Sequence, residues 1–88
     1  MNIVKIQNQL SRFASERDWE QFHTPKNLSM ALSVEVSELV EIFQWLSQEE
    51  SKKIDSKTIE SVKDEVADIF IYLIRIADQL NIDIEEAI

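Results

Sequence analysis

The residues of this chain best placed to do chemistry are acids at fixed intervals. Glu35, Glu38 and Glu41 follow one another three apart, and Glu65 and Asp68 repeat the interval further on. On a helix, residues three apart lie on nearly the same face. Glu35 stands between Leu32 and Leu39, and Glu65 between Val62 and Ile69, so each interrupts an apolar row. Carboxylates seldom enter such rows unpaired. Brought together, the pairs Glu35/Glu38 and Glu65/Asp68 repel unless some protonate or a cation sits among them. Oxygen-only donors suit a hard divalent ion, Mg²⁺ or Mn²⁺. Such an ion lowers the pKa of a bound water and screens the charge of a phosphate. Glu41 has exposed neighbours and reads more simply as part of a solvated face.

Composition removes most other chemistry. The 88 residues contain no Gly, no Cys and one His. That excludes glycine-rich phosphate loops, dinucleotide fingerprints, thiol catalysis, disulfides and multi-histidine zinc centres. A net charge of −8 opposes nonspecific binding to nucleic acid or to an anionic membrane. An acidic protein can still take a phosphorylated small molecule if a cation bridges the two. No apolar run approaches the length of a membrane span, and the first residues show no secretory pattern, so the expected compartment is a reducing cytoplasm.

The elements that must position the acids are helices. Ile6, Leu10 and Phe13 predict an amphipathic helix over about residues 2–17. After a loop through His23, Thr24-Pro25 reads as an N-cap and a proline at the first helical position. The second helix is predicted to run to about Leu46, with Leu28, Leu32, Leu39, Ile42 and Leu46 on one row and Glu35 in its gap. Residues 47–56 read as an exposed link, with Asp55 or Ser56 as the next cap. Ile59, Val62, Val66, Ile69, Leu73, Ile76 and Leu80, alternately three and four apart, predict one long buried seam ending at Asn81. Asp83, with Glu86 three residues on, opens a short fourth helix. The expectation is one all-α domain over residues 1–88, an antiparallel helical bundle. Its apolar arcs are too wide to bury within so short a chain, so self-association is expected to complete the bundle.

The ordered residues also resemble a known family. Arg17-Asp18-Trp19-Glu20-Gln21-Phe22-His23, Pro25-Lys26-Asn27-Leu28, Glu35-Val36-Ser37-Glu38-Leu39, Phe43-Gln44-Trp45, Asp64-Glu65-Val66-Ala67-Asp68-Ile69 and Tyr72-Leu73 resemble the MazG-like all-α nucleoside triphosphate pyrophosphohydrolases, most closely their dCTP pyrophosphatase branch. The family motif, E-E-x-x-E followed after a spacer by E-x-x-D, maps onto Val34, Glu35, Glu38, Glu65 and Asp68. Val34 replaces its first glutamate, a departure associated with the dCTP branch.

The resemblance implies that Glu35, Glu38, Glu65 and Asp68 are catalytic and ligate Mg²⁺. It implies hydrolysis of a nucleoside triphosphate, dCTP or a modified dCTP, to monophosphate and pyrophosphate, a nucleotide-pool cleaning reaction. It further implies a homodimer or homotetramer and a base pocket made of Trp19, Trp45 and Tyr72. Trp45 lies two helical turns beyond Glu38 and Tyr72 one turn beyond Asp68, where a base would stack if its triphosphate met the metal. His23 is a further candidate for substrate contact. Arg75 and Lys26 are candidates for meeting the phosphates; Arg75, one turn beyond Tyr72, is the better of the two, since Lys26, at a helix start, reads as solvated. Relatives continue through a longer basic fourth helix, so the fourth helix here is expected to be short or truncated. The competing expectation is a non-catalytic helical interaction or dimerisation module using the same apolar seams.

Overall fold

The computed structural model describes all of residues 1–88. It contains α1 (Ile3–Glu16), α2 (Pro25–Phe43), α3 (Gln48–Ser51), α4 (Ser56–Gln79) and α5 (Ile84–Ala87), with no strands. The two long helices, α2 and α4, form an antiparallel hairpin, and α1 packs against α4. All five starts are set by side-chain caps; at α1, Asn2 Oδ1 accepts from the Lys5 N–H at 3.0 Å. Thr24, Ser47, Asp55 and Asp83 each accept a backbone N–H three residues on, and Pro25 occupies the first turn of α2.

A chain without glycine still needs left-handed residues to end its helices, and Asp18 (φ 54°) and Asn81 (φ 55°) supply them. After α1, the Trp19 N–H donates to the Ala14 carbonyl at 2.9 Å and the Asp18 N–H to that of Ser15 at 3.1 Å. After α4, the Ile82 N–H reaches the Ala77 carbonyl at 2.8 Å, and the Asn81 N–H that of Asp78 at 3.3 Å. Both are Schellman closures. The first folds Trp19 back against Phe13, with ring centroids 5.4 Å apart and edge to face. That local device begins the wall of the cavity described below.

The structure revises three expectations. The second helix stops at Phe43 rather than Leu46, because the chain must turn into a third short helix. The link is not wholly irregular: Ser47 and Glu50 form a reciprocal capping box, with the Ser47 N–H donating to Glu50 Oε1 at 2.8 Å. The long seam of α4 is not one buried row. Val62, Ile69 and Ile76 are half-buried with Glu65 and Tyr72, whereas Ile59, Val66, Leu73 and Leu80 are exposed. A 3–4 spacing marks a stripe wide enough for two partners, and α2 covers only one side of it.

The core is small and lies at one end. Ala14, Leu28, Ile74, Arg75 and Ala77 are the buried residues, and none between 29 and 73 joins them. The accessible surface is 6766 Å², against about 5,400 Å² for a folded monomer of this mass. The radius of gyration, 15.2 Å, likewise exceeds the roughly 12 Å of a compact domain of this length.

Candidate active site

Antiparallel pairing of α2 and α4 sets the acids of one helix against those of the other. Carboxylate oxygens of Glu35, Glu38 and Glu65 lie within 4.8 Å of one another. Glu35 and Glu65 are half-buried and Glu38 is exposed. One Glu65 oxygen is buried with no hydrogen-bond partner. The Glu65 carboxyl is pushed up to about 7, first by sharing a proton with Glu35, then by burial and by Glu38. Three acids at this separation ionise together only against mutual repulsion, which a cation among them would relieve, so the donor set fits a hard metal ion.

Asp68, the fourth candidate ligand, stands outside that triplet. It lines the adjoining cavity together with Glu35. The cavity, about 560 Å³ and open on one side, lies between α1, the loop after it, α2 and α4. Phe13, Trp19 and Tyr72 give it aromatic surface, and His23 and Arg75 add polar groups. The site therefore runs from a carboxylate cluster into an aromatic chamber, with Glu35 belonging to both.

The loop carrying Trp19 and His23 is pinned at several points. The His23 N–H donates to the Trp19 carbonyl at 3.0 Å, and Asn27 Nδ2 to the Phe22 carbonyl at 3.1 Å. The Trp19 and His23 rings lie 5.8 Å apart. The Arg17 guanidinium sits 3.4 Å from the centroid of the Phe13 ring and braces the outside of the wall. His23 titrates below the ordinary histidine value, held down by burial and then by the positive charge of Arg75. Its Nδ1 has no partner.

Of the residues singled out by sequence, Glu35, Asp68, Trp19, His23, Tyr72 and Arg75 share one cavity, and Glu38 and Glu65 adjoin it through the acid triplet. Trp45 does not join them: it lies beyond the end of α2 and is 88% exposed. Glu41 and Lys26 are exposed. Phe13, which lines the cavity, and Asp78, whose Oδ2 accepts from Arg75 Nη1 at 3.0 Å, were missed. Phe13 carried a signal, because a left-handed stop after α1 returns the following residue onto the last turn. Asp78 also carried one, lying three residues after Arg75 on the same helix face.

An all-α hairpin that sets paired carboxylates beside an aromatic cavity defines the class of protein, and comparison with known proteins agrees. A model of the MazG-like family matches residues 30–88, and the chain belongs to that family. dCTP pyrophosphatase 1 of Mus musculus is 42% identical over 80 residues, which cover 89% of this chain and 47% of that protein. The Homo sapiens dCTP pyrophosphatase 1 is 40% identical over 80 residues, with the same coverage. The chain thus spans about half the length of these relatives. The crystal structure of a pyrophosphatase from Archaeoglobus fulgidus matches with a TM-score of 0.91 at 38% identity, covering 99% of this chain and 82% of that one. The all-α MazG-like fold read from the sequence is the fold observed. No helix is long and apolar enough to cross a membrane.

Proposed function

We propose that residues 1–88 form one catalytic domain that hydrolyses (deoxy)nucleoside triphosphates, dCTP or a modified dCTP foremost, to the monophosphate and pyrophosphate. The observation that carries this reading is the continuity of the acid cluster with an aromatic cavity of nucleoside size. The relatives named as dCTP pyrophosphatase and pyrophosphatase support it. Glu35, Glu38 and Glu65, with Asp68 alongside, would hold Mg²⁺ or Mn²⁺. Such an ion screens the triphosphate and makes a bound water nucleophilic at neutral pH.

The protein's own groups then divide the work. The acids set the place of the triphosphate. Trp19 and Tyr72 offer ring faces to the base. Burial and the Arg75 charge keep the His23 imidazole neutral, so it does not compete with the metal for the phosphates. The expected setting is the cytoplasm, as a nucleotide-pool cleaner, with neither nucleic acid nor membrane as partner.

A homodimer or homotetramer would cover the outward rows of Val34 and Val40 on α2 and of Val66, Phe70 and Leu73 on α4. In such an assembly Trp45 would serve a site built between copies. The same open rows favour one other reading, a non-catalytic helical interaction module.

Pyrophosphate release from a panel of nucleoside triphosphates with Mg²⁺ tests the proposal. Release of dCMP and pyrophosphate in equal amounts supports it. No turnover, with a melting temperature indifferent to millimolar Mg²⁺, favours the interaction module.

A further inference from the structure

Arg75 is a charged side chain only 2% exposed, in a chain that buries four other residues, all of them apolar. Its Nη1 donates to Asp78 Oδ2 at 3.0 Å. Its Nε and Nη2 are buried and have no partner. Those two nitrogens form the side edge of the guanidinium, where the N–H bonds run parallel as a two-pronged donor. Orphaned buried donors are costly unless something fills them. The residue lines the cavity that also holds Phe13, Trp19, Tyr72 and His23.

Position along α4 says which part of a nucleotide would meet this edge. Arg75 lies seven residues beyond Asp68, an axial distance of about 10 Å. A triphosphate held at the acid cluster therefore presents its base, rather than its phosphates, to Arg75. Tyr72, between the two, stands where a ring could stack.

We propose that Arg75 is the specificity-determining residue of this site, its Nε–H and Nη2–H donating together to two adjacent acceptors on the base edge, O2 and N3 of cytosine. Guanine offers an equivalent pair, O6 and N7. Uracil and thymine do not, because N3–H is a donor lying between their two carbonyls and would face the fork donor to donor. Adenine has no adjacent acceptor pair either. Asp78 holds the guanidinium through Nη1 and balances the buried charge, which leaves the opposite edge as the unpaired one in a residue that lines the cavity. The inference rests on the nucleotide-hydrolase reading for the placement of the base. It adds the means by which one base is chosen, which ring stacking alone does not supply.

Binding of nucleoside monophosphates to the whole chain, followed by calorimetry and by Trp19 fluorescence, tests this without requiring turnover. dCMP is expected to bind at least ~10-fold more tightly than dUMP or dTMP, the scale of one lost bidentate contact. 3-Deaza-dCMP has the same shape but a C–H in place of N3, and it should lose a similar factor. Arg75→Lys keeps the charge but not the fork, and is expected to bring the dCMP to dUMP ratio near one. If 3-deaza-dCMP binds wild-type protein as tightly as dCMP, or Arg75→Lys folds and keeps the preference, the assignment is overturned. The deaza comparison uses unaltered protein, so it decides the matter even where the variant does not fold. Failure to release pyrophosphate from dCTP overturns the hydrolase reading separately, since the binding ratios are read whether or not turnover occurs.

Discussion

The two ends of the α2–α4 hairpin differ in what covers them. At the end where α2 begins and α4 finishes, α1 and the loop after it lie over the hairpin, and every buried residue of the chain is there. At the other end, around α3, the helices have no third layer. Trp45 and Ile59 are exposed there, and the half-buried acids stand between the two regions. One end holds its own cavity, and the other presents surface. The difference teaches that the same two helices carry the site at one height and an uncovered apolar face at another.

The largest effects should come from the boundary between the ends. Glu38→Gln and Asp68→Asn are each expected to lower Mg²⁺-dependent pyrophosphate release at least ~100-fold, comparable to or beyond the loss of groups that merely orient metal ligands. Circular dichroism should show unchanged helix. Glu38 and Asp68 occupy different parts of the site, so an effect of one without the other would show which region the metal occupies.

Stability should divide along the same line. Leu28, 1% exposed, is the largest wholly buried side chain, and Leu28→Ala is expected to cost about 2–5 kcal/mol in chemical denaturation. Val40→Ala, on the uncovered half, should change the stability of a dissociated chain by less than ~0.5 kcal/mol. If the protein sediments as a dimer or larger at micromolar concentration, Phe70→Glu should shift it toward the monomer. A folded monomer in the parent protein would instead mean that the exposed rows are covered by something other than a second copy.

Trp19 and Trp45 sharpen the contrast between cavity and surface. Trp19→Ala is expected to weaken nucleotide binding by ~1–3 kcal/mol, the scale of base stacking. Trp45→Ala should match that loss only in the assembled protein, because within one copy Trp45 lies outside the cavity. Equal losses under conditions where the protein is monomeric would break the comparison.

The smallest expected effect is on pH dependence without metal. Glu65, raised to about 7 chiefly by the proton it shares with Glu35, keeps that proton in the folded state after the unfolded chain has released it near 4.5. Metal-free stability should therefore be fullest below about pH 4.5 and decline as pH rises toward about 7, levelling above it. Glu65→Gln should flatten that decline. Metal affinity should rise over the same interval, since the ion displaces the shared proton.

Much of this was legible in the residues. Helix starts were, because Thr24, Asp55 and Asp83 cap by local rules. The meeting of Glu35, Glu38 and Glu65 was, because Glu35 and Glu65 interrupt apolar rows and antiparallel packing brings those rows together, whereas the place of Asp68 outside the triplet was not. The burial of the α4 seam was not. Spacing reports which residues share a face, whereas burial depends on what another element covers, and α2 covers one row of two. The place of Trp45 was hidden for a related reason: its two-turn offset from Glu38 holds only if the helix continues, and α2 ends at Phe43. The burial of Arg75 could not be read from its charge, because only the packing of α1 and its loop encloses it.

The central claim is that the acid triplet and the aromatic cavity act together on one nucleotide. It is tested most directly by product analysis of dCTP incubated with the protein in Mg²⁺, in EDTA, and with the Glu38→Gln variant. The account predicts dCMP and pyrophosphate in equal amounts with Mg²⁺, and neither in EDTA or with the variant. Release of orthophosphate instead of pyrophosphate, or turnover that persists in EDTA, would contradict it.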